Sequence, residues 1–427
     1  MDAFITHLGS PVNTMLLQIL AILFAAKICG ALARLVGQPQ VIGEMLAGIL
    51  LGPSLLKSVA PQFHGFLFPA GSLDKLFFLS QLGIVLYMFI VGLEFNIESM
   101  QSKARSAVAI SLSSIVVPFV LGIVVALFLF DSYGPQNNDK LGFALFMGIA
   151  MSITAFPVLA RILQEQGMTG SRLGSTAIAC AAAGDIAAWC ILAVVVGVAQ
   201  SGSGLGAAFT IVCALIYMTF MFVVARPLLS KRLGVPATDG TISSGLLAFI
   251  FLALLLSAWI TETIGIHALF GAFIIGVVMP ERNRFKTKIA DRIHDVTGVV
   301  LLPLFFAFTG LRTELGLLYD AQSLLVCALI LSVAVLGKLG GAAMAARFTG
   351  HDWRTSAILG LLLNTRGLME LIVLNLGYDL GLIGPKIFTV MVTMALVTTM
   401  MTGPLVQRLT ASPSRKLDAD ARATASR

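Results

Sequence analysis

The sequence predicts an all-α polytopic membrane protein of about thirteen transmembrane helices, built as two inverted six-helix repeats with two broken crossing helices. Three observations predict it. Of 427 residues, 58% are hydrophobic and only 11% charged, against about 25% charged in soluble domains. Apolar runs of about 20 residues, enough to cross a bilayer as helix, recur along nearly the whole chain. They lack the ~10-residue alternating segments of a membrane barrel. Finally, short motifs of the first half return in the second.

Thirteen spans are read at 13–33, 41–56, 76–97, 106–130, 141–164, 174–200, 205–225, 243–263, 266–280, 296–311, 321–346, 355–377 and 386–406. No basic residue precedes the first, so it is not expected to be a cleaved signal peptide. The second carries "AGILLGP" (Ala47–Pro53) and the ninth "GAFIIGVVMP" (Gly271–Pro280). The third ends in "FIVGLEF" (Phe89–Phe95) and the tenth in "FAFTGLRTEL" (Phe306–Leu315), each placing a charge after Gly-Leu. Gly48 and Gly271 stand 223 residues apart, Gly92 and Gly310 218 apart. Partners lie seven spans apart, an odd number, so the second half enters the membrane upside down relative to the first. That is a secondary-transporter architecture. Residues 1–411 then form one transmembrane domain: repeat one (13–200), a linker helix (205–225) and repeat two (243–406). A short cytoplasmic tail, 412–427, is expected to be disordered.

Lys and Arg set the orientation. The loops after odd-numbered spans, with their flanks, and the tail hold 20 of the 28. The positive-inside rule places these in the cytoplasm and the N-terminus outside, in a bacterial-type inner membrane. "ERNRFKTKIADRIH" (Glu281–His294) is therefore read as a cytoplasmic loop rather than a nucleic-acid patch. The five cysteines lie in apolar runs without a CxxC pair and read as small hydrophobes. No cofactor motif is evident.

Transporter sites form where helices break near the midplane. Pro157 in "MSITAFPVLARIL" (Met151–Leu163) lacks an N–H, so the fifth span is expected to unwind at Thr154–Phe156; a simple proline kink is the structural alternative. The repeat predicts a second break in the twelfth span. There Asn364, Thr365, Arg366 and Gly367 interrupt the run "LLLNTRGLMELIVLNLG" (Leu361–Gly377). Asp185 stands alone near the middle of the sixth span, where a carboxylate costs about 3 kcal/mol on insertion scales. It is expected to face the crossing of the two breaks.

Lys338, alone in the eleventh span, has two readings: a partner for Asp185, or a cation that neutralises a half-helix C-terminus. Arg366 and Glu370, four apart, read as a structural pair on one helix face. Glu44 and Glu94 stay unassigned, and His267 reads as a helix-boundary residue. No HExxH, second catalytic carboxylate or Ser–His arrangement suggests an enzyme.

The segments "GQPQVIGEMLAGILLGPSLL" (Gly37–Leu56), "SITAFPVLARIL" (Ser152–Leu163), "GDIAAWCILA" (Gly184–Ala193), "GIHALFGAFIIGVVMP" (Gly265–Pro280), "LLPLFFAFTGLRT" (Leu301–Thr313) and "LNTRGLMELIVLNLGYDLGLI" (Leu363–Ile383) resemble signatures of the monovalent cation:proton antiporter-2 family. Its bacterial relatives of plant cation/H+ exchangers are the nearest likeness. The resemblance spans about residues 37–405. It implies the sodium/proton antiporter fold and a homodimer with a scaffold and a mobile six-helix core moving like an elevator. It also implies that Asp185 carries cation or proton, with Thr154, Ala155 and Phe156 around it, and that Lys338 is a core basic residue.

Two departures stand out. Gly184 replaces the Asn or Asp that many relatives place before the key aspartate, which favours electroneutral exchange. Only a short polar tail follows Leu405, so the nucleotide-binding regulatory domain of Kef-type relatives is not expected. The function implied is exchange of a monovalent cation, K+ before Na+, for H+, serving pH homeostasis. A gated potassium efflux channel and an ion-coupled organic solute symporter are the alternatives.

Overall fold

The computed structural model describes residues 10–69, 71–94, 104–135, 139–165, 168, 171–201, 204–233, 243–280 and 285–410; the expected tail at 412–427 lies outside them. Helices follow one another as α1 (Pro11–Leu35), α2 (Gln40–Leu51), α3 (Leu73–Glu94), α4 (Ala104–Tyr133), α5 (Lys140–Ser152), α6 (Phe156–Glu165) and α7 (Arg172–Ser201). Then come α8 (Gly204–Phe220), which runs through a π turn (Met221–Ala225) into Arg226–Leu233, α9 (Ser244–Ile264) and α10 (Ala268–Val278). The chain ends with α11 (Phe285–Val296), α12 (Leu302–Leu311), α13 (Ala321–Phe348), α14 (Trp353–Leu363), α15 (Leu368–Asp379) and α16 (Pro385–Thr410). Among the described residues ten helical stretches are long and apolar enough to cross a membrane, and α5, α10 and α14 are shorter apolar helices.

Local chemistry marks the starts. Asp139, Ser243, Asp320 and Asp352 accept N-cap bonds from Gly142 N (2.8 Å), Leu246 N (3.3 Å), Ser323 N (2.9 Å) and Thr355 N (3.1 Å), as short oxygen side chains do at helix N-termini. His267, read as a boundary residue, caps α10 through Nδ1, which accepts from Leu269 N at 3.4 Å. One expectation is corrected. Residues 285–294, read as loop, are helical: α11 joins α12 through a π turn at Thr297–Leu301. Its charged sequence hides a narrow stripe of Lys286, Ile289, Ala290 and Ile293 that is buried. Residues 281–284 of that segment lie outside the described residues.

The helices sort into two bodies. In the scaffold body α1, α2, α3, α9, α10, α11 and α12 pack on one another; in the core body α4, α5, α6, α7, α13, α14, α15 and α16 do so. α8 packs against α7 and, through its π turn, against α10, so it bridges the bodies. Two glycine crossings hold the scaffold. A Cβ at Gly48 or Gly310 would fall on the carbonyl of Ala307 or Met45, and one at Gly92 or Gly276 on that of Phe273 or Phe89. The motifs that revealed the repeat are therefore the places where backbones touch, as small residues allow in membranes.

Candidate functional site

α5 stops at Ser152 and α6 resumes at Phe156; α14 stops at Leu363 and α15 resumes at Leu368. The two gaps are bonded to each other. Ala155 N–H donates to Thr365 O at 2.9 Å, and Thr154 Oγ1 to Leu363 O at 3.1 Å. Gly367 allows this approach, since a Cβ there would lie 2.9 Å from Val158 Cγ2. Pro157 sits in the first turn of α6, where a missing N–H is tolerated. The side chains of Phe156 and Pro157 lie outside the described residues.

A helix that stops inside a membrane strands its last carbonyls, and here those of Ala150, Met151 and Ser152 find side-chain donors. Arg366 gives Nη1 to Ala150 O (3.0 Å) and Nη2 to Met151 O (2.7 Å), and its Nη1 also reaches Glu370 Oε2 at 2.9 Å. Lys338 Nζ donates to Ser152 O and, at 3.4 Å, to Ser114 O. The second carbonyl is free for a sequence reason: its helical donor would be residue 118, which is proline and has no N–H. Arg366 O accepts from Thr399 Oγ1 at 2.5 Å. Two cations thus meet the negative end of α5, and Glu370 balances one of them. Lys338, Arg366 and Glu370 are fully buried.

Of the two readings of Lys338, this geometry is that of the second. Its ammonium is bonded to Ser152 O at the end of the half-helix α5 and to Ser114 O inside α4, rather than to Asp185. Asp185, on α7, is 4% exposed, and its Oδ1 meets no hydrogen-bond partner among the described residues. It lines a cavity of about 10 Å³ with Ile153 of the first break, Met369 and Val373 of α15, and Trp189. That volume is near the minimum for one water. Trp189 stacks on Phe273 of α10, centroids 6.4 Å apart, so the cavity faces the scaffold. A second cavity of about 10 Å³ lies between Val158, Gly367 and Thr399 of the core and Ile42 and Met45 of the scaffold.

Asn364 is fully buried, and neither atom of its amide has a partner among the described residues. Glu44 accepts from Gln40 Nε2 at 2.7 Å, and Glu94 lines a separate cavity with His294. Sequence reasoning missed Ser114, Pro118, Ser152 and Thr399. A signal existed for two of them: Pro118 precedes Lys338 by 220 residues and Asp185 precedes Thr399 by 214, close to the repeat offset.

Inverted halves, broken helices crossing at depth and a buried carboxylate beside them define the architecture of a secondary ion transporter. The chain belongs to the sodium/hydrogen exchanger transmembrane family, which it matches over residues 20–411. It is 42% identical, over 94% of its length and 99% of the relative's, to the Na(+)/H(+) antiporter NhaS4 of Synechocystis sp.. It is 38% identical to the cation/H(+) antiporter 17 of Arabidopsis thaliana over 92% of this chain, which spans 48% of that longer relative. The solved structure of the sodium proton antiporter MjNhaP1 from Methanocaldococcus jannaschii at pH 8 has the same fold, with a TM-score of 0.64 over 93% of this chain and 97% of that one, at 12% identity.

Proposed function

We propose that this chain exchanges a monovalent cation for a proton across the membrane, with Asp185 as the shared carrier. One observation supports it most: a buried carboxylate oxygen without a hydrogen-bond partner among the described residues, beside a cavity of about 10 Å³ at the crossing. An unpaired buried acceptor costs about 1–3 kcal/mol, and a proton or an alkali ion removes that cost. The two compete for one site, which couples their movements. Oxygen ligands suit hard monovalent ions. Beside Asp185, the Thr154 hydroxyl and the backbone at Ala155 and Phe156 are the proposed ligands. The relatives' names carry the same chemistry, one naming Na+ and the other a cation; our reading takes K+ before Na+ as the exchanged ion.

The positive ends of Lys338 and Arg366 are already bonded to α5, so they hold the site's shape, and Glu370 holds Arg366. The cycle is electroneutral and elevator-like: the core body carries a loaded Asp185 past the scaffold, and desolvation holds back the bare carboxylate. A homodimer, with N-terminus outside and C-terminus in the cytoplasm of a bacterial-type inner membrane, belongs to the same proposal. The test is proton flux in everted vesicles, adding K+, Na+ or Li+ to a preformed pH gradient. Cation-driven collapse that vanishes in Asp185→Asn supports antiport and names the ion. No collapse with any cation, in vesicles holding folded protein, sinks it.

A further inference from the structure

On the far side of the crossing, the two bodies are tied by polar bonds. Arg312 caps α12 of the scaffold, and its Nη1 meets Asp379 Oδ1, the last residue of α15, at 2.6 Å. The same Nη1 reaches Asn375 Oδ1 at 3.4 Å, and Asn375 Nδ2 donates to Thr309 Oγ1 of α12 at 2.8 Å. The guanidinium lies over three rings: Phe77 (5.2 Å) and Phe308 (4.5 Å) of the scaffold and Tyr378 (5.3 Å) of the core. Planar stacking plus a carboxylate is the geometry Arg holds and Lys does not. Arg312 and Asp379 are 20% and 23% exposed, so the pair sits where water is partly excluded.

We propose that Arg312, Asp379, Asn375 and Thr309 form a latch between scaffold and core that must open in every transport cycle. The proposal rests on the reading that the core body moves during exchange. α15 starts at the crossing and ends at the latch, so it is the lever between them. Pinning its far end holds the crossing in one position.

The inverted repeat supplies an independent support. Arg312 follows Gly310-Leu311, and Glu94 follows Gly92-Leu93 at the corresponding end of α3. A symmetric resting state would bind both ends alike. Instead Glu94 lines a cavity of about 210 Å³ with Lys286, Asp291 and His294, and the described residues of its wall belong to the scaffold. One end is tied by bonds across the bodies, and at the other Glu94 makes no such bond among the described residues. That asymmetry is the one expected of a single end state in alternating access.

The test is a cross-link between the bodies, in a background whose five native cysteines are replaced and whose cation-driven proton flux is measured first. Thr309→Cys with Asn375→Cys is oxidised to a disulfide in everted vesicles. The latch predicts at least a tenfold fall in flux on oxidation and recovery on reduction. Flux at the unoxidised rate with most molecules cross-linked overturns it. If that pair is inactive before oxidation, Arg312→Cys with Asp379→Cys and a reducible bis-methanethiosulfonate gives the same readout. A background without cation-driven flux speaks against the antiport reading instead, so the two failures are distinguishable.

Discussion

Asp185 and Lys338 are both buried, yet their surroundings differ in kind. Lys338 is bonded to two carbonyls; Asp185 Oδ1 has no partner among the described residues. Removing them should therefore move activity and stability in different directions. Asp185→Asn should abolish cation-driven proton flux while raising the thermal midpoint in detergent, because a buried neutral amide costs less than a buried carboxylate. A midpoint lower than wild type would show that Asp185 is a structural group. Lys338→Met should lower the midpoint, orphaning the carbonyls of Ser114 and Ser152 at about 1–3 kcal/mol each. Adding Pro118→Ala to Lys338→Met should regain about 1 kcal/mol, since residue 118 then offers an N–H to Ser114 O. A double-mutant cycle that finds Pro118→Ala equally harmful in both backgrounds would refute the freed-carbonyl account.

At the scale of elements, the breaks were legible because their causes are local: a proline at 157 and the run Asn364–Gly367 of poor helix formers. The Arg366–Glu370 pair was legible from its spacing of four, though not its setting: Arg366 lies in the break ahead of α15 rather than on the helix face expected for it. What satisfies the broken ends was not legible. Arg366 reaches Ala150 and Met151, and Lys338 reaches Ser114, groups more than 200 residues away in sequence, beyond the reach of helical periodicity and hinted at only by the repeat offset. The start of α11 was lost to its charges, since Lys288, Asp291 and Arg292 hid a stripe of only a few buried residues, one of them Lys286 itself. The repeat motifs were legible, though not their purpose. Gly310→Ala should destabilise the scaffold by about 1–3 kcal/mol through overpacking, because its Cβ would meet the Met45 carbonyl. Gly316→Ala, with open space around it, should stay within about 0.5 kcal/mol. Equal melting of the two variants in detergent would remove the crossing argument.

For the whole molecule, contacts between loops sort the described helix ends onto two faces, and the proposed orientation puts the more basic face in the cytoplasm. Ser54 Oγ donates to Thr313 O at 2.8 Å, and Lys386 Nζ lies 3.7 Å from Asp320 Oδ1. The ends of α2 and α12 and the starts of α13 and α16 therefore share one face. Ser106 Oγ and His351 Nε2, 3.4 Å apart, bring the start of α4 to the loop between α13 and α14 on the opposite face. The described residues of that second face include Lys231, Arg232, Arg347 and Arg354, and basic loops resist translocation. Lys57→Cys should then react with a membrane-impermeant maleimide in intact cells, and Arg354→Cys only after permeabilisation. Because the faces are tied by these contacts, two positions decide the orientation of every helix. The reverse labelling pattern would place the Arg312–Asp379 latch on the cytoplasmic side, leaving the carrier chemistry of Asp185 unchanged but inverting which ion meets the Glu94 cavity first.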